Sequence, residues 1–299
     1  MHQIVPHFWF DQQAEPAARF YTSLFQASII DKIVRYGKAG FEVHGQPEGT
    51  VMTVDFQLEG QPFIALNGGP NFRPTPAISQ FVHCSTESEL DRLWEALSKE
   101  GKVLMPLDRY PFSEKYGWVQ DAYGLSWQLI LIPESRQKIV PAFLFTGDQC
   151  GRAQEAIHFY TSVFNDSSVG TLFPYGPDQQ ENNPDHLAHG TFTLSGQSFM
   201  AMDSGLAHDF GFSEAISLLV YCENQEEVDR LWKQLSADPA AEQCGWLKDR
   251  FGVSWQIVPR ELYRLLEDPD PVKADRVMAA ILQMKKLEIS TLQRAHAGE

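Results

Sequence analysis

The chain has 299 residues, a formal charge of −15 and 43% hydrophobic residues. That length leaves room for two ordinary domains, each large enough to bury a core without staples. The charges are spread along the chain, and the acidic balance argues against nucleic acid and anionic membranes, since both need clustered Lys and Arg.

In chain order, Ile4 to Phe10 reads as a strand and Glu15 to Phe25 as a helix with Pro16 in its first turn and Ala17, Phe20, Tyr21, Leu24 and Phe25 at helical spacing. Strands are predicted over Ile29–Tyr36, Thr50–Leu58 and Phe63–Leu66, with Glu59-Gly60-Gln61 as a tight hairpin. The order then recurs. Ser79–Ser85 is a strand, and Glu87–Glu100 a helix with Thr86 as N-cap, Glu89 completing a capping box and Gly101 ending it. Strands near Val103–Leu107, Gly117–Gln120 and Leu125–Ile132 follow.

From Ile139 the whole plan is repeated. Phe159-Tyr160 echoes Phe20-Tyr21, Leu231-Trp232 echoes Leu93-Trp94, and Ser254-Trp255-Gln256 echoes Ser126-Trp127-Gln128, at offsets of 139, 138 and 128. Two homologous copies stand in tandem, each a pair of βαβββ units, and the first carries about ten extra residues between Trp94 and Trp118. The shorter last module, around Pro239, is expected to lose or truncate a strand. Past Asp268-Pro269-Asp270-Pro271 there is no repeat partner. Val272 to about Ala295 reads as one long amphipathic helix with Val277, Ile281, Met284, Leu287 and Leu292 on its apolar stripe. The expected domains are 1–135, 136–262 and a helical extension over 263–299.

Cys84, Cys150, Cys222 and Cys244 form no CxxC pair and read as small buried side chains in a reduced compartment. No stretch approaches transmembrane length, and no basic segment precedes an apolar run at the start, so a cytoplasmic location is expected.

An α+β architecture of four βαβββ modules resembles the vicinal oxygen chelate superfamily of glyoxalases, bleomycin-resistance proteins and extradiol dioxygenases. Phe20-Tyr21 with Leu24-Phe25, the segment Met105-Pro106-Leu107 through Tyr110-Pro111-Phe112 to Gly117-Trp118, the Asp-x-x-Gly-x-Ser-Trp-Gln endings at Gln128 and Gln256, and the Asp268-Pro269-Asp270-Pro271 tail are most similar to its PhnB-like branch, labelled demethylubiquinone 3-methyltransferase-like. The resemblance implies cupped sheets with helices outside and a ligand cavity inside, which in metal-dependent members holds a divalent ion on inner-strand His and Glu residues.

His7 falls at the first-strand ligand position, Ser79 at the corresponding place in the second module, and Gln128 where a Glu is usual. His83 shares the strand face of Ser79. These residues give two readings. In one, His7, His83 and Gln128 line a single cup in the first copy as acid/base groups or as ligands of one zinc, nickel or iron ion. In the other, they are partly buried polar residues in a cavity without metal. The copy-two counterparts are Ala142, Ser217, Tyr221 and Gln256. Trp9, Phe81, Tyr110, Phe112 and Trp118 are candidate apolar walls, with Arg109 placed to meet an anionic ligand group.

Trp127 and Trp255 alternate against the glutamines and belong to the helix layer, while His186 and His189 read as surface residues. No glycine-rich turn follows a strand to hold S-adenosylmethionine, so methyl transfer is not expected despite the label. The reading is a small-molecule-binding protein, enzymatic in the lyase, isomerase or dioxygenase manner or sequestering a planar or aromatic ligand. Its modules pair within the chain or across a homodimer.

Overall fold

A computed structural model describes residues 3–135, 137–177 and 182–299. The expected boundary at residue 136 lies outside the described residues. The first copy contains β1 (Ile4–Phe10), α1 (Ala14–Leu24), β2 (Ile29–Arg35), the short α2 (Phe41–His44), β3 (Val51–Leu58) and β4 (Gln61–Asn67), then β5 (Ile78–Cys84), α3 (Glu87–Ser98), β6 (Lys102–Tyr110), β7 (Ser113–Gln120) and β8 (Ser126–Leu131). The second contains β9 (Ile139–Phe145), α4 (Ala153–Val163), β10 (Ser168–Pro174), β11 (Leu187–Leu194) and β12 (Gln197–Asp203), then β13 (Ile216–Cys222), α5 (Gln225–Leu235), β14 (Trp246–Lys248) and β15 (Ser254–Pro259). Helices α6 (Arg260–Leu266), α7 (Pro271–Ile281) and α8 (Ile289–Ala297) close the chain.

Local chemistry sets most of these boundaries. The Thr86 side chain accepts the Glu89 amide at 3.2 Å, and the Glu89 carboxylate reaches back to the Ser85 amide at 2.8 Å. Gly101 does not end this helix: Lys99 does, in an extended conformation, and Glu100 then takes a left-handed one at φ 60°. Gly101 is needed because a Cβ there would meet the Gln120 carbonyl oxygen at 2.5 Å. The two-residue turn between β3 and β4 places Glu59 and Gly60 at φ 51° and 77°, as a type I′ hairpin requires. The last module keeps only the three-residue β14 where the first copy has β6 and β7.

The modules pair across the copies. One sheet runs β14-β15-β13-β1-β4-β3-β2 and joins the first module of copy one to the last of copy two through antiparallel β1 and β13. The other runs β10-β11-β12-β9-β5-β8-β7-β6 and joins the two middle modules through antiparallel β5 and β9. We call them the outer-module sheet and the middle-module sheet.

Within each copy the modules meet through the core on the helix side. Tyr21 on α1 and Trp127 on β8 both donate at 2.8 Å to Asp121 Oδ2, and Tyr160 and Trp255 do the same to Asp249 at 2.7 and 2.8 Å. The other oxygen of each Asp accepts two backbone amides of its own turn. The turns therefore also tie module to module.

The C-terminal extension is helical but broken. Cys244 and Gly245 donate backbone hydrogen bonds to the carbonyls of Met284 and Lys285, at 2.8 and 2.7 Å. Met284 and Lys285 thus pair with the segment leading into β14 instead of continuing a helix. Leu262, Leu265, Val277, Ile281, Leu287 and Leu292 pack against Val5, Ile64, Leu219 and Val258, so the extension covers the concave face of the outer-module sheet.

Candidate functional site

Strand alternation divides each sheet into a helix-side face and a concave face. On β1, Ile4, Phe8 and Phe10 enter the helix-side core, which leaves Val5, His7 and Trp9 on the concave side. On β8, Trp127 enters that core and Ser126, Gln128 and Ile130 line the other face.

The expected grouping of His7 with His83 and Gln128 is not found, because the modules exchange partners. His7 lies in the outer-module sheet, opposite Ser217, which in turn lies opposite Ser254. The polar set there is His7, Ser217 and Gln256, with Gln256 Nε2 donating to Ser217 Oγ at 3.0 Å. The His7 ring stands edge-on to Trp246 at 5.6 Å, and its Nδ1 meets no hydrogen-bond partner among the described residues. Burial lowers its pKa to about 3, which keeps the imidazole neutral. Trp9 also belongs here, packed on Phe72 and Trp246 and donating Nε1 to the Gly69 carbonyl at 2.8 Å.

The middle-module sheet holds the counterpart set Ala142, Ser79 and Gln128. Gln128 Nε2 donates to Ser79 Oγ at 2.7 Å, repeating the pair in the other sheet, while its Oε1 accepts Tyr116 Oη at 2.6 Å. Phe81, Tyr116, Ile130, Val140, Ala142 and Met200 form a second apolar cluster around this pair, with Met105, Tyr110 and Trp118 at its margin. Trp118 Nε1 donates to Ser126 Oγ at 2.7 Å. Phe112 stacks on Tyr110 at the tip of the β6–β7 hairpin and is 62% exposed. Arg109 is paired with Glu114 at 2.8 Å on the open surface, away from an inward-facing role.

His83 sits four positions from the Ser79–Ser126 rung, on the same face and opposite Ile130. It lines a cavity of about 230 Å³ together with Val140, Thr191, Thr193, Ser198 and Met200. Burial lowers the His83 pKa; the Gln137 carbonyl opposes the shift and Lys138 adds to it. His189, read from sequence as a surface residue, shares the strand face of Thr191. Its pKa is lowered by burial and then by His83, which puts the two imidazoles in one electrostatic neighbourhood. The sequence signal for it was the alternation Thr191-Phe192-Thr193-Leu194, whose apolar members enter the core. His186 is only half-buried and contacts Cys150 Sγ through Nδ1 at 3.4 Å.

The donor sets do not fit a divalent ion. Each offers a hydroxyl and an amide, the outer one adds a single imidazole, and neither has a carboxylate to supply charge. Among the described residues no three His, Cys, Asp or Glu side chains converge to hold a metal. Nor, among those residues, is any helix long and apolar enough to cross a membrane.

Paired βαβββ modules, helices outside and two concave sheet faces define a vicinal oxygen chelate fold. Glyoxalase I structures from Zea mays share it: one mutant form is 10% identical with a TM-score of 0.54, aligning over 87% of this chain and 92% of that one. The chain belongs to the family described as 3-demethylubiquinone-9 3-methyltransferase, whose signature matches residues 2–130 and again 137–258. It is also similar to a putative 3-demethylubiquinone-9 3-methyltransferase, a PhnB protein from Bacillus cereus, at 45% identity over 43% of this chain and 98% of that one, with a TM-score of 0.40. A protein from Staphylococcus aureus is 36% identical over 44% of this chain and 97% of its own, with a TM-score of 0.18. No curated protein matches the chain.

Proposed function

We propose that the chain is a small-molecule-binding protein whose working site is the concave face of the middle-module sheet. The observation that carries this reading is the contrast between the two cups. The extension α6–α8 packs on the outer-module sheet and leaves His7, Ser217 and Gln256 buried; the larger opening of about 530 Å³ beside Trp9 and Phe72 reaches the Asp121–Gly124 turn and none of those three residues. The middle-module face, by contrast, keeps a cavity lined by His83, Thr191 and Met200. Its walls are apolar with a few fixed polar groups, which is how ligand sites are usually built. A volume of about 230 Å³ suits a ligand with one ring, since about 150 Å³ of apolar cavity already takes benzene.

On this reading the site works without a resident divalent ion. Any chemistry would be proton transfer at a neutral imidazole, and sequestration of a planar ligand is the simpler use. The proposal does not extend to the methyl transfer in the family description. The described lining consists of strand residues and the segment around Ser135 and Gln137, with no glycine-rich turn leading into a helix to take a nucleotide-like group.

A thermal-shift screen of small planar compounds tests the reading on wild type, Met200→Trp and His7→Leu. Hits lost in Met200→Trp and kept in His7→Leu support the middle-module cup. The reverse pattern places binding in the outer-module cup and ends the proposal.

A further inference from the structure

His83 has a defined tautomer. Its Nδ1 lies 2.6 Å from Ser135 Oγ and 3.0 Å from the Gln137 carbonyl oxygen. The Ser135 hydroxyl donates to that same carbonyl at 2.9 Å, so its hydrogen is committed and its oxygen is left to accept. A carbonyl only accepts. Both neighbours therefore require Nδ1 to carry the hydrogen, which leaves a lone pair on Nε2. Among the described residues Nε2 has no partner, in a side chain only 8% exposed. A buried acceptor left unmatched costs roughly 1–3 kcal/mol. The same position in the second copy is Tyr221, so the imidazole is peculiar to this cup.

The rest of the lining narrows what the lone pair could receive. Val140 and Met200 are apolar, and Thr191, Thr193 and Ser198 bring hydroxyls. Thr191 and Thr193 already accept the backbone amides of Thr171 and Ser168. The cation that acts on His83, Lys138, is paired with Glu89 at 2.5 Å. His83 and His189 both stay uncharged at neutral pH, for the reasons given above. Nothing here favours an anion.

We propose that His83 is the recognition group of this cavity, and that its ligand is an uncharged single-ring compound whose phenolic or enolic hydroxyl donates to Nε2. This rests on the middle-module cup being the ligand site. The Ser135–Gln137 pair is the positioning element, since it holds the ring and the tautomer without touching the ligand.

Paired probes separate the two levels of the argument. Binding of 4-fluorophenol and of 4-fluoroanisole, alike in shape but with and without a donor, is followed by fluorine NMR in neutral buffer, where the phenol keeps its proton and the imidazole its lone pair. Wild type should favour the phenol about tenfold, the worth of one net hydrogen bond to a buried acceptor. His83→Phe should bring the two probes to within about twofold. Equal binding of both by wild type overturns the role of His83 and leaves the cup as a ligand site. Binding of neither overturns both. If His83→Phe fails to fold, Ser135→Ala serves instead: with one acceptor at Nδ1 removed, the preference should fall while anisole binding holds, and an unchanged preference would count against the tautomer argument.

Discussion

Replacing Gln80 with Leu should stabilise the protein. Gln80 on β5 shares a face with Ile78 and Val82, both in the helix-side core, and is only 1% exposed. Neither its Oε1 nor its Nε2 meets a partner among the described residues. The second copy has Leu218 at this place, fully buried in the same core. An unmatched buried amide costs about 1–3 kcal/mol, and imperfect fit of a new side chain returns up to about 1 kcal/mol. Gln80→Leu should therefore gain about 1–2 kcal/mol. The reverse change, Leu218→Gln, loses apolar burial and adds an unmatched amide, for about 3–5 kcal/mol.

Urea unfolding provides the measurement. The midpoint should rise for Gln80→Leu with an unchanged slope, because the surface exposed on unfolding is the same. A midpoint equal to or below that of wild type, at constant slope, would show that the Gln80 amide is satisfied in solution and that the two copies are not interchangeable at this position.

Two further predictions concern buried titratable groups. Asp121→Asn and Asp249→Asn should each cost about 2–4 kcal/mol by calorimetry, because each carboxylate takes four donors and an amide must turn its own donor towards two of them; a loss below about 1 kcal/mol would contradict the tie between modules. For His7, the folded pKa of about 3 lies below the ordinary 6.5, so in that interval the unfolded chain binds a proton that the folded one refuses. Its contribution is complete above about 6.5 and is lost as pH falls. Between pH 7 and pH 5 wild type should lose about 2 kcal/mol more than His7→Leu, and equal acid sensitivity in urea titrations would refute the burial of His7.

What sequence revealed and what it concealed divide along the range of the interactions. Strand parity is local. The opposition of Trp127 to Gln128, the Asp121 and Asp249 turns with Gly124 and Gly252 at φ 89° and 88°, and the shortened last module all follow from neighbours in the chain. The break between α7 and α8 is not local, since it depends on the Cys244–Gly245 edge some forty residues earlier. His189 was hidden because Leu187, two residues before it, also enters the core, and register shifts along β10 and β11 blur the alternation. The pairing of modules was the largest gap. β5 and β13 share four of seven residues and the same alternation, Ile78-Ser79-Gln80-Phe81-Val82-His83-Cys84 and Ile216-Ser217-Leu218-Leu219-Val220-Tyr221-Cys222, so the strand pattern gives β1 no local means of choosing between them.

That ambiguity leads to a test on the first copy by itself. In the whole chain Pro6 lies opposite Leu218, and Gln80 opposite Pro141, its equivalent joint. Substituting each residue by its counterpart in the other copy gives the same pairing twice, Pro6 against Gln80. Residues 1–135 alone would expose the edges of β1 and β5, and unpaired edges of this kind seek a partner strand. Two such fragments can close both joints at once, β1 of each on β5 of the other, in the closed isologous arrangement of a twofold dimer. His7 would then face Ser79 in the register it now keeps with Ser217, and Gln128 would stand beside them. The grouping expected from sequence would be realised in the fragment though not in the whole chain. Light scattering on the purified fragment should give twice its chain mass at micromolar concentration. A folded monomer would show that β1 and β5 do not recognise each other, and that the exchange of modules between copies depends on features of the second copy alone.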